Sequence, residues 1–101
     1  MHLNEYLSIP YRLEAQTIET PQGGARVRLC YPELDDCAAE GIVLEDVLAE
    51  LERRRMASIV AMVERGVSPP IPRPPLVDCD PLWIANDIGA APHIIAALKK
   101  A

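Results

Sequence analysis

The chain has 101 residues, 50% of them hydrophobic and 25% charged, which places it among ordinary globular domains and outside the disordered class. That length holds one core and at most one site. A formal charge of -5 argues against a broad grip on nucleic acid, because neutralising phosphates takes clustered Lys and Arg, and it favours a basic protein partner.

Residues 1–10 form a short leader, expected to be mobile. Tyr11 to Glu19 then alternates, with Leu13, Ala15 and Thr17 on one side and Arg12, Glu14 and Gln16 on the other, the pattern of a half-buried strand. Ala25 to Tyr31 repeats it with Val27, Leu29 and Tyr31 against Arg26, Arg28 and Cys30. Between them lies Thr20-Pro21-Gln22-Gly23-Gly24, where glycine supplies the positive backbone angles of a tight reversal. Both apolar sets are odd-numbered and share a face only if an odd number of residues closes the loop, so the hairpin turns near Gln22. Glu14 and Arg28 become diagonal neighbours across it.

After the Pro32 to Cys37 link, Ala38 to Ile42 is expected as a third strand. From there the period becomes helical: Leu44, Val47, Leu48 and Leu51, then Ile59, Met62 and Val63, recur at three- and four-residue spacing. Glu45 and Asp46 suit the positive end of the helix, and Gly66 after Arg65 is a stop signal, so the helix runs from about Leu44 to Arg65. Arg53, Arg54 and Arg55 fan across its circumference, and at least one must approach the buried edge. Their stems are expected to lie over apolar surface while the guanidinium groups reach water.

Ser68 to Pro75 is proline-rich and acts as a stiff extended strap. Beyond Asp80 two short helices are expected, Pro81 to Ile88 and Pro92 to Lys100, each with proline in its first turn and with Gly89 at the corner. Leu82 and Trp83 are the expected anchors of this tail. The chain thus reads as α+β: a small antiparallel sheet of about three strands on one long helix, with a proline-rich strap and short C-terminal helices. Residues 1–75 form the main unit, and residues 76–101 a helical tail packed on it.

The order strand, glycine turn, strand, Tyr-Pro-Glu-Leu-Asp-Asp-Cys, Ala-Glu-Gly, acidic helix start and Arg-Gly-x-x-Pro-Pro-x-Pro resembles the HicB family of toxin-antitoxin antitoxins. Tyr31 to Cys37, Glu40 to Leu48 and Arg65 to Pro72 carry the resemblance, within an outline covering about residues 11 to 75. Three departures stand out. Val43 occupies the position where the family often has a Thr or Ser cap. Asp36 stands where glycine is common, and Arg54 and Arg55 replace small or apolar residues. The resemblance implies a partial RNase-H-like fold that binds a HicA-type toxin, a small basic ribonuclease, and blocks it by covering its surface. The partner-binding candidates are Tyr31, Glu33, Asp35, Asp36, Asp46 and Glu50, whose carboxylates can imitate phosphate to a basic protein. The alternative is an orphan HicB-like module for dimerisation or small-ligand binding.

No catalytic, cofactor or metal site is expected. A metal-dependent nuclease needs several acids converging on one point, and Glu14 and Glu19 have no acidic answer on the second strand. His2 and His93 lack a Ser, Cys or Asp partner. Cys30, Cys37 and Cys79 are odd in number and contain no Cys-x-x-Cys pair, as expected of free thiols in a reducing compartment. With no apolar run of membrane-spanning length and no secretory pattern at the start, a cytoplasmic location is the expectation.

In the tail, Ile84, Ala85, Ile88, Gly89, Ile95 and Leu98 loosely fit a helix-turn-helix that would reach operator DNA. The second helix offers few base-reading side chains, so packing on the sheet or joining a dimer explains the tail better. The exposed edges of so small a sheet lead us to expect a homodimer or a higher homo-oligomer.

Overall fold

The computed structural model describes residues 1–100. In chain order the elements are α1 (Leu3–Tyr6), β1 (Glu14–Glu19), β2 (Ala25–Cys30), β3 (Ala38–Gly41), α2 (Leu44–Glu64), α3 (Pro81–Asp87) and α4 (Pro92–Lys100). The three strands form one antiparallel sheet in the order β1-β2-β3, and α2 packs on β3 and β2. The architecture is α+β, with the short C-terminal helices on the same core.

The hairpin has the odd register that its sequence demands. Glu14 faces Cys30, Glu19 faces Ala25, and the loop between them centres on Gln22 with Gly23 at φ +82°. Leu29 is buried and Val27 half-buried beneath α2. β1 behaves differently from the expected half-buried strand: it starts at Glu14, and both its faces are exposed apart from a half-buried Ile18. With three strands and a helix centred over two of them, Leu13, Ala15 and Thr17 have nothing to pack beneath.

α2 starts close to the sheet because Gly41 has no side chain; a Cβ there would lie 2.9 Å from a methyl of Val47. Val47, Leu51, Met56, Ile59 and Val60 form its buried face. The apolar stripe nevertheless outruns the core. Leu44 and Leu48, which the periodicity assigns to the same face, are 54% and 40% exposed. Ile42 falls outside β3 and is more exposed still. At the other end Gly66, at φ +73°, stops the helix.

The leader is part of the core rather than mobile. Glu5 accepts a hydrogen bond from the His2 N–H at the start of α1, and Leu7, Ile9 and Tyr11 are buried. The strap runs beside this segment. The Leu76 N–H donates to the Ser8 carbonyl, Arg73 donates to the Pro10 carbonyl, and the Tyr11 hydroxyl donates to the Pro70 carbonyl at 2.7 Å.

The arginine triplet ties α2 to three other parts of the chain. Arg53 donates to the Ile88 carbonyl between α3 and α4, and Arg54 to the Ala38 carbonyl at the start of β3. Arg55 donates to the Leu7 carbonyl after α1. The expectation that these guanidinium groups reach water fails for Arg55, which is 6% exposed. In the tail, Ala85, Ala90, Ile94 and Leu98 are buried, whereas the expected anchor Trp83 is 64% exposed and Leu82 only half-buried. Gly89, at φ +66°, turns the chain between α3 and α4, and the two helices bury alanines beside the longer Ile94 and Leu98.

Candidate partner interface

The six partner-binding candidates do not form one surface. Glu33 and Asp35 border an open cleft of about 240 Å³ that also takes in Ser58, Met62, Arg65 and Pro70, beside the C-terminal end of α2. Asp46 and Glu50 border another, of about 390 Å³, with Arg26, Glu40, Ile42 and Val43 at the start of the same helix. About 24 Å of helical rise separates Asp46 from Met62. The long helix that the sequence predicts therefore splits the acidic set that the sequence groups together.

Two of the carboxylates are already spent within the chain. Glu33 accepts from the Arg73 guanidinium at 2.8 Å and from the Arg12 N–H at 2.6 Å, and these donors hold its carboxyl below the usual range. Glu50 accepts from Arg53 and Arg54, with the same effect. Tyr31 turns inward: its hydroxyl donates to Glu52, and its ring lies 6.3 Å from that of Tyr11. Burial, reinforced by the bond to Glu52, pushes its phenol well above the ordinary value. Tyr31 is thus a structural residue. Among the described residues, Asp35, Asp36, Glu45 and Asp46 carry no ion pair, and all four are exposed.

Asp36 has a further property. It sits at φ +55°, the left-handed region that glycine enters without cost, and it is the one non-glycine residue there among those described. The link therefore keeps the turn that a glycine would make, with a carboxylate added at its tip. Asp36→Gly is expected to raise stability by up to about 1 kcal/mol, read as a higher urea midpoint at unchanged slope. The acidic tip, on this account, is kept at the expense of stability.

The most distinctive surface lies at the β3–α2 corner, and charge-based reasoning missed it. Ile42, Val43 and Leu44 are consecutive and 74%, 52% and 54% exposed, and Leu48 follows one turn along α2. Glu45 and Asp46 lie beside them. Val43 stands at the position where a side chain could cap the helix, and it makes no such bond. An apolar cluster rimmed by acids has the anatomy of a protein interface: a dry centre for contact and a charged edge for steering. The one sequence signal was the missing cap at Val43.

Among the described residues no group of three or more His, Cys, Asp or Glu side chains is placed to hold a metal ion. Among the described residues no helix is long and apolar enough to cross a membrane. The thiols of Cys30, Cys37 and Cys79 are unpaired, and burial raises that of Cys37 above its ordinary range. No protein-family model, curated protein or solved structure matches the chain.

Proposed function

We propose that this chain is an antitoxin-like binding protein that covers the surface of a small basic ribonuclease of the HicA type in the cytoplasm and performs no catalysis of its own. The ordered motifs Tyr31 to Cys37, Glu40 to Leu48 and Arg65 to Pro72 support the reading. The observation that carries it is the exposed run Ile42–Val43–Leu44, continued by Leu48 and flanked by Glu45 and Asp46. Four exposed apolar side chains at one corner of a small domain call for a protein partner, and their acidic rim calls for a basic one. Asp35 and Asp36, at the opposite end of α2, form a second point of contact for a partner long enough to span the helix.

The test is co-expression with a small basic ribonuclease encoded beside this chain. Co-purification together with loss of RNA cleavage is the expected result. If such a ribonuclease neither binds nor is inhibited, the reading fails and an orphan dimerisation module replaces it. The open edge of β1 is the feature that favours that second reading.

A further inference from the structure

The fold treats the two edges of its sheet differently. On β3 the odd positions bond to β2, as the Tyr31 N–H to the Cys37 carbonyl shows, so Ala38 and Glu40 turn their backbone groups outward. The Ala38 carbonyl is already occupied there by Arg54. On β1 the parity is reversed. The Thr20 N–H bonds to the Gly24 carbonyl at 2.8 Å, so Glu14, Gln16 and Ile18 bond toward β2. Leu13, Ala15, Thr17 and Glu19 then present N–H and carbonyl groups to the open edge, and among the described residues no other backbone segment meets them. The strap lies along Ser8 to Tyr11 and the tail packs against α2, so neither covers this edge.

We propose that β1 pairs antiparallel with β1 of a second copy about a twofold axis at Gln16, joining two sheets into one of six strands. The register follows from the edge itself. Outward-facing residues must oppose one another, which pairs Leu13 with Glu19 and Ala15 with Thr17. Gln16 then faces its own copy, as a pair without direct backbone bonds at about 4.5 Å between Cα atoms. No like charges oppose: Glu14 meets Ile18 and Arg12 meets Thr20, while Arg12 and Glu14 already neutralise each other at 3.1 Å. Centring one residue earlier draws in Tyr11, which is buried and tied to Pro70. Centring one residue later sets Leu13 against Pro21, which has no N–H to offer. Because Arg12 and Glu14 are paired within the chain and Glu19 alone is left beside them, the edge offers little charge to a basic strand, and a second copy meets it without opposing like charges. The pairing leaves the β3–α2 corner free and needs no toxin.

Sedimentation velocity on the chain alone, from micromolar to near-millimolar, tests the proposal. A single strand pair buries less than a standard interface, so a concentration-dependent monomer–dimer equilibrium is expected. Thr17→Pro removes an outward N–H without touching a bond to β2, a substitution that edge strands tolerate, and it should weaken the dimer at least about tenfold with unchanged circular dichroism. Gln16→Cys should cross-link to a covalent dimer under mild oxidation, whereas Ala15→Cys, which faces Thr17, and the parent chain should not. A monomer at every concentration overturns the proposal, as does a dimer that Thr17→Pro leaves intact. Should Thr17→Pro lose its fold, Gln16→Cys decides alone: cross-linking supports this register, and its absence rejects it.

Discussion

Arg55→Met is expected to destabilise the domain by about 3–5 kcal/mol, more than any other single arginine replacement in the triplet. Its guanidinium donates to Glu52 at 3.1 and 2.9 Å and to the Leu7 carbonyl at 3.1 Å, and the Arg55 and Glu52 side chains are 7% and 19% exposed. Methionine fills similar space and leaves Glu52 with only the Tyr31 hydroxyl, while the Leu7 carbonyl loses its donor. The penalty arises from stranding these groups, not from losing a strong bond, because a buried pair gains little once its desolvation is counted. For a domain of this size the loss lowers the melting temperature by more than about 10 °C. Arg54→Met, at an exposed pair, should change stability by no more than about 1 kcal/mol. The double variant Arg55→Met, Glu52→Leu separates the two accounts: it should recover more than half of the loss. A single variant that melts within a degree or two of the parent would show that the network contributes nothing net.

The same arginine marks the boundary of what the sequence discloses. Helical fan-out requires one member of the triplet to approach the core, but the carbonyl that receives Arg55 lies 48 positions earlier in the chain. Local pattern carries no trace of that meeting. The hairpin register, by contrast, was fully legible, because parity is a local property that loop length must satisfy. The helix was legible for the same reason, and its hydrophobic period even continued past the core to Leu44 and Leu48. What the period could not disclose is the width of the sheet below, which decides whether such a leucine is covered. Leu7, Ile9 and Tyr11 were hidden differently: Pro10 interrupts their alternation, and their burial depends on a strap whose own sequence shows only stiffness.

The candidate site shows the same division. Acidic residues are visible one by one, but their availability depends on distant cations. Arg73 neutralises Glu33 from 40 positions away, and that contact exists only because the strap folds back along the leader. Glu50 was open to suspicion, since Arg53 and Arg54 follow it at helical spacing where pairing is expected. Setting aside Glu33 and Glu50, which are paired within the chain, and Tyr31, which bonds inward, leaves Asp35, Asp36 and Asp46 of the original set as unpaired exposed carboxylates. It also transfers the weight of the interface to apolar residues that a search for charge passes over.

That transfer has a measurable consequence. In a complex with the proposed basic ribonuclease, Leu44→Ala and Leu48→Ala should each weaken binding by about 2 kcal/mol, near thirtyfold, and chiefly through faster dissociation. Both side chains are exposed in the free chain, so neither substitution should cost more than about 0.5 kcal/mol of folding stability. Asp46→Asn should act differently, slowing association at low salt and losing its effect as salt rises, because an acidic rim steers encounter. Val43→Thr links the two properties. A hydroxyl at the start of α2 can cap a free N–H and stabilise the domain by about 1 kcal/mol, while removing apolar contact area from the corner. A more stable chain that binds less tightly would show why valine stands there. A more stable chain with unchanged affinity, together with silent alanines at Leu44 and Leu48, would move the partner interface away from this corner.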